Sequence, residues 1–418
     1  MAQNPVVTFR SDKISGSATA DFAYQGATFG PNPGIETDNL RFRNCVSIVQ
    51  DAPMFKEFFR RIHAELELAS ISSSESICIL RLSAIGDVCH TVAVVRTLQS
   101  HWPDTKLTWV IGKTEASLVG DIPGIEFIIF DKSRGWHAYR DLRRCMRGRE
   151  FDILLQMHAS LRASLASLFI PAPIKLGFDK ARAVNCQWLF TTHRINGDAR
   201  VHVMDGLFQF LEAIGINERI LRWDIPLSDA DRGFAARNVE PGRSILVISA
   251  CSSRRWRNYR NWSAENYAAV ADYAAERYGM QVILTGGETP LEVDYGQRIC
   301  QLTRCKPHNL VGQTTLKQLL AVLELATVLV CPDSGPAHMA TTVNKPVIGL
   351  YATANPARTG PYLSQKWVVN KYPQAVLSEF GRSVNEIRWG RRVRDPDAVN
   401  LPKVSDVTAK LDQIPRGQ

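Results

Sequence analysis

From Ile77 onward the chain repeats one pattern, in which a short apolar run is followed by a stretch of helical period and then by another apolar run. Runs of this length suit strands, and their regular alternation with helical stretches specifies βαβ units, in which crossover helices cover both faces of a parallel sheet. The strand candidates are 77–82, 107–111, 126–130, 152–157 and 174–177, and 202–214 reads as a helix. A polar stretch, 228–243, interrupts the series. A second series then supplies strand candidates at 244–249, 281–285, 327–331 and 346–351, separated by helical segments at 264–278, 290–302 and 316–326.

Two such series in 418 residues exceed what one core organises. The expected architecture is α/β, with two Rossmann-like domains facing a cleft, 73–235 and 236–418, the second carrying a C-terminal tail. Residues 1–72 lack this periodicity and are expected to be a poorly ordered N-terminal extension. Within them, Phe58, Ile62, Leu66 and Leu68 are spaced as one short amphipathic helix, with Lys56, Arg60 and Arg61 beside it. That helix is expected to rest against an anionic membrane surface.

The formal charge of +9 calls for an anionic partner: nucleic acid, lipid headgroups or a phosphorylated substrate. Basic residues bunch at Arg134, Arg140, Arg143, Arg144, Arg147 and Arg149, and again at Arg388, Arg391, Arg392 and Arg394. Taken alone, either bunch reads as a solvated face. The nine cysteines are scattered, as reduced thiols of the cytosol are. Cys300, Cys305 and His308 lack the spacing of a zinc site. The N-terminus has no apolar signal-peptide core, and no apolar run approaches the ~20 residues that span a bilayer. A cytoplasmic location, with peripheral contact at a membrane surface, is expected.

Three constellations carry chemistry. Arg81 to Thr91 runs from a strand end through a small-residue turn into a helix, placing Asp87 in the first helical turn at a cleft mouth; an acid that merely complements the helix dipole would look the same. Cys331 to His338 ends a strand and opens a helix. There Ser334 can cap, Gly335 admits a ligand to the backbone and Pro336 costs no hydrogen bond, so the free N–H groups and His338 suit an anion. The loop 249–262 combines hydroxyl residues with Arg254, Arg255, Arg257 and Arg260, which suits a diphosphate, although arginine and aromatic residues also interleave in RNA sites. The P-loop, the G-x-G-x-x-G fingerprint and H-E-x-x-H are missing from the sequence.

The stretches 80–91 and 333–362, with Thr285-Gly286-Gly287 and Arg260-Asn261-Trp262 between them, resemble the ADP-heptose:lipopolysaccharide heptosyltransferases of glycosyltransferase family 9, over residues 76–365. The resemblance implies the GT-B glycosyltransferase fold. It also implies transfer of heptose from ADP-L-glycero-D-manno-heptose to the lipopolysaccharide inner core, on Kdo-lipid A or a heptosyl acceptor, with inversion. By the same resemblance Asp87 is the catalytic base, and Ser252, Ser253, Arg260, Thr285, Gly286, Gly287, Asp333, Ser334, Gly335 and His338 hold the donor. His158, Ser160, Arg162 and Arg182 face the acceptor. Arg260 replaces the family's lysine. No metal or other cofactor is expected, because arginines and a helix N-terminus can carry the leaving diphosphate. The alternatives are a GT-B transferase or epimerase using another sugar nucleotide, and a non-catalytic protein that binds an anionic ligand.

Overall fold

A strand covered on both faces needs no polar alternation, and the runs SICIL, ILL, ILVIS, QVILT and VLVCP are buried almost throughout. In the computed structural model, which describes residues 74–252 and 259–415, they are strands of two parallel sheets. The first sheet holds β1 (Ser76–Leu80), β2 (Lys106–Gly112), β3 (Ile125–Phe130), β4 (Ile153–Leu155), β5 (Ile174–Gly177) and β6 (His193–Arg194), in the order β3-β2-β1-β4-β5-β6. The second holds β7 (Ile245–Ser249), β8 (Gln281–Thr285), β9 (His308–Asn309), β10 (Val328–Pro332), β11 (Val347–Tyr351) and β12 (Val369–Asn370), ordered β12-β11-β10-β7-β8-β9. Ile77 stands opposite Leu107 and Ile153, and Val247 opposite Ile283 and Leu329.

The winding reverses beside the first strand of each sheet, between β1 and β4 and between β7 and β10. Carboxyl ends of strands at such a switch point leave a crevice that crossover helices do not cover. The chain therefore builds two crevices of one kind.

Local chemistry fixes the helix ends. The Ala264–Tyr278 helix is capped by Ser263, which accepts from the Asn266 N–H, and stops at Gly279, whose φ of 62° is left-handed. Thr289 caps Pro290–Leu302, and Thr315 with Gln318 forms a capping box for Leu316–Leu325. The polar stretch 228–243 differs from expectation: a Ser228–Asp231 capping box starts a helix there, Asp229–Asn238. The two-residue edge strands β6, β9 and β12 were also unexpected, being too short to carry a pattern. The amphipathic segment 55–68 lies outside the described residues.

One buried cluster runs from Ile77 and Val88 through Phe210 to Ile245, Leu320 and Met339, so both sheets contribute to a shared core. Polar links join the same two halves. The Tyr362 hydroxyl donates to Asp205 at 2.8 Å, Trp389 Nε1 to the Val201 carbonyl at 2.9 Å, and Lys317 pairs with Asp121 at 2.7 Å. Among the described residues no helix is long and apolar enough to cross a membrane.

Candidate active site

At the first crevice, Arg81 leaves the end of β1 and Asp87 lies in the first turn of the helix Ile85–His101. Their side chains form an ion pair, and Arg81 Nη1 also donates to the Met157 carbonyl beyond β4, at 2.5 Å. Burial raises the Asp87 pKa, but the guanidinium of Arg81 and a backbone N–H outweigh it and hold the carboxyl below its usual range. Asp87 is thus an anion at neutral pH. His158 Nδ1 accepts from the Leu82 N–H at 3.2 Å, and burial together with Arg81 pushes its pKa down to about 3, against the pull of Asp87. The imidazole is neutral, with its proton on the other nitrogen.

At the second crevice, Arg260 Nη1 lies 3.0 Å from the Asp333 carboxylate and donates to the Asp333 carbonyl at 2.7 Å. Arg392 approaches the same carboxylate at 3.9 Å. Trp262, buried, ties this loop down by donating to the Pro402 carbonyl at 3.0 Å. The Asn261 side chain accepts from the Ser252 N–H at 2.8 Å. A cavity lined by Arg260, Asp333, Tyr351, Thr353 and Ala354 opens beside the ion pair.

The two crevices meet through paired helix starts. Gly335 opens the helix Gly335–Thr342 against Ile85, and a Cβ on Gly86 would stand 2.3 Å from the His338 ring, so the backbone of the Asp87 turn lies directly on that imidazole. His338 packs edge-on against His90, with ring centroids 4.6 Å apart, and His90 against His202 at 5.2 Å. Burial lowers the pKa of all three histidines, His338 to about 4, and keeps them uncharged at neutral pH. His202 takes the Met204 N–H on Nδ1, which puts its proton on Nε2, facing the Gly360 carbonyl at 2.9 Å.

The expected residues separate into groups. Asp87 and His158 come together at the first crevice, and Ser252, Arg260 and Asp333 at the second. Ser334 occupies the N-cap position but makes no capping bond: its hydroxyl turns back to the Pro332 carbonyl at 3.1 Å. The N–H groups of that turn are therefore not taken by the side chain expected to cap them. His338 is an interface residue whose Nδ1 has no hydrogen-bond partner among the described residues, and the buried Thr285 hydroxyl at the end of β8 has none either. Gly287 donates to Glu292 at 2.8 Å, and Gly286 accepts from Gly312. Ser160 caps the helix Leu161–Ser167, and the Arg162 side chain is exposed. Arg182 is committed to Asp179 and Gln209. Ser253 lies outside the described residues.

Sequence reasoning missed Arg358. Burial lowers its pKa, while the carboxylates of both Asp87 and Asp333 pull the other way, so this guanidinium sits within the field of both crevices. Its only sequence signal is a basic residue in the short helix Pro356–Thr359 after β11. His90, His202 and Tyr362 were missed for the same reason, since their roles depend on contacts between distant segments.

Known proteins share this chain's sequence pattern and its fold. The model of glycosyltransferase family 9 (heptosyltransferase) matches residues 139–385. The lipopolysaccharide core heptosyltransferase OpsX of Haemophilus influenzae is 38% identical over 340 residues, which cover 81% of this chain and 97% of that protein. Lipopolysaccharide heptosyltransferase 2 of Escherichia coli is 22% identical, covering 69% of this chain and 86% of that one. Among solved structures, a glycosyltransferase family 9 protein from Veillonella parvula superimposes with a TM-score of 0.67 at 22% identity, covering 83% of this chain and 99% of that chain. The E. coli heptosyltransferase WaaC with ADP gives a TM-score of 0.61 at 16% identity, covering 81% and 100% respectively. The two-sheet architecture is the GT-B fold of those enzymes.

Proposed function

The chain belongs to glycosyltransferase family 9 and is a glycosyltransferase of the heptosyltransferase class; from that premise we propose that it moves a heptose from ADP-L-glycero-D-manno-heptose to an inner-core lipopolysaccharide acceptor, Kdo-lipid A or a heptosylated form of it, with inversion. The observation that carries the reading is a partly exposed carboxylate, Asp87, at one switch point and an arginine cluster around Asp333 at the other, with Arg358 interacting with both.

Asp87 takes the proton of the acceptor hydroxyl as that oxygen attacks the anomeric carbon. The bond from that carbon to the diphosphate breaks, and its electron pair leaves with ADP. Asp87 is a weak base in the resting enzyme, so proton transfer follows bond formation, when the hydroxyl has become acidic. One carboxylate suffices, because a single displacement forms no sugar–enzyme intermediate. Arg260, Arg392 and Arg358, with the N-terminus of the Gly335–Thr342 helix, meet the charge that develops on the diphosphate. Asp333 neutralises the arginines until the donor arrives. In this reading guanidinium groups carry the leaving-group charge, and no step calls on a metal ion. The enzyme works in the cytoplasm, and its lipid-borne acceptor brings it to the inner membrane surface.

Thermal unfolding in the presence of sugar nucleotides tests the donor, because a ligand held by the native state raises the midpoint by mass action. ADP-heptose is expected to raise it well above UDP- and GDP-sugars at equal concentration. A larger shift with UDP- or GDP-sugars contradicts the assignment and favours another sugar nucleotide.

A further inference from the structure

The first basic bunch of the sequence is untouched by the mechanism. Between residues 132 and 149 the chain carries seven basic residues and one acid, Asp141. The helix Trp136–Cys145 orders them: Ala138 and Leu142, followed by Met146, form its buried stripe. Trp136, Arg140, Arg143, Arg144 and Arg147 stand exposed on the remaining surface. Asp141 is shared by Arg134 and Arg144, and Arg149 pairs with Glu126. Arg140, Arg143 and Arg147 have no ion-pair partner among the described residues. The second basic bunch is different, since Arg392 faces Asp333 and Arg391 lies over the Phe380 ring.

Apolar surface adjoins the unpaired arginines. Trp136 is 74% exposed. In the neighbouring helix Leu161–Ser167, Ala163 and Ala166 face inward. Leu161 and then Leu168 stand outward, 52% and 59% exposed, with Leu165 half-buried between them. Tyr139 joins the two helices. Its ring lies 5.3 Å from Trp136 and 6.3 Å from Phe169, and its hydroxyl donates to the Arg162 carbonyl at 3.4 Å. Exposed tryptophan and leucine beside arginine is the composition that seats a surface at a headgroup layer, the rings and leucines reaching the acyl boundary and the guanidinium groups meeting lipid phosphates.

We propose that the faces of helices Trp136–Cys145 and Leu161–Ser167 form the surface by which this protein docks on an anionic lipid bilayer. The inference rests on the lipid-borne acceptor of the proposed function. The Leu161 helix begins just after His158, so the docked surface adjoins the Asp87 crevice and presents it to an acceptor anchored in the same bilayer. Residues 1–73 carry eight acids and seven basic residues, too nearly neutral to be the occupant that this charge selects.

The test is co-sedimentation of the full chain with vesicles, read alongside turnover on a soluble, delipidated acceptor. The parent protein is expected to bind phosphatidylglycerol-containing vesicles and not pure phosphatidylcholine, with binding weakened by salt. Replacing three arginines together (Arg140→Gln, Arg143→Gln, Arg147→Gln) is expected to weaken vesicle binding by roughly a hundredfold, and Trp136→Ala to weaken it independently. Neither change should alter turnover on the soluble acceptor. Vesicle binding by the triple variant equal to the parent's overturns the proposal. So does unchanged vesicle binding with lost soluble turnover, which assigns the arginines to the acceptor site. If the parent binds anionic vesicles but transfers no heptose to the soluble acceptor, the proposed function fails and the docking surface stands.

Discussion

The two crevices use the same pair of groups, an aspartate and an arginine where a strand gives way to a helix, yet only the first leaves its carboxylate within reach, the second burying both partners. In the Arg81–Asp87 pair the arginine side chain is 9% exposed and the carboxylate 34%. In the Arg260–Asp333 pair the carboxylate is 10% exposed and the arginine 13%. A buried guanidinium holding a reachable carboxylate makes a positioned base. A buried carboxylate gathering Arg260 and Arg392 makes a positive pocket that stays neutralised until an anion competes for it. The position of the aspartate decides which: Asp87 stands inside the helix, on its first turn, whereas Asp333 precedes its helix, at the strand end.

If that division of labour holds, breaking the first pair should stop chemistry and little else. Asp87→Asn is expected to lower kcat by roughly a hundredfold or more, as loss of a general base does, with the thermal midpoint near the parent's. Parental turnover in this variant would remove Asp87 from the mechanism.

Where the crevices meet, the buried histidines make stability depend on pH. Their folded pKa values are depressed, His338 to about 4 and His158 to about 3, against about 6.5 in the unfolded chain. Below that value the unfolded state takes up protons that the folded state refuses. Their contribution to stability is therefore fully present above about pH 6.5 and is lost as pH drops toward 4. His338→Asn should flatten this slope by about one proton, read from unfolding midpoints across that window. An unchanged slope would mean that His338 titrates freely.

A smaller effect sharpens the contrast from the other side. Tyr362→Phe removes the hydroxyl that donates to Asp205 across the two halves and should cost about 1 kcal/mol of stability, measured by denaturant unfolding, while donor affinity stays the same. A loss of donor affinity would move Tyr362 into the binding site.

The sequence shows the fold well because each element is locally consistent. Strands buried on both faces read as unbroken apolar runs, and the caps at Ser263, Thr289 and Thr315 mark helix starts to within a residue. The helix behind the Ser228–Asp231 capping box was equally legible but short of apolar residues, so it passed as a polar junction. Asp87 was found because a strand, a small-residue turn and a helix start are contiguous. Arg358, His90 and His202 were not, since what gives them meaning is the approach of segments far apart in the chain. Ser334 shows the opposite failure: its residue type and position promise a cap, but the hydroxyl bonds to Pro332 instead.

Donor affinity, measured by titration calorimetry with ADP-heptose on Asp87→Asn and Arg260→Ala side by side, tests the division between the crevices most directly. Asp87→Asn should bind the donor as the parent does, and Arg260→Ala about tenfold or more weakly, since a lost charge-assisted contact to phosphate is worth about 1.5 kcal/mol or more. Equal weakening in both variants, or none in Arg260→Ala, would contradict the account.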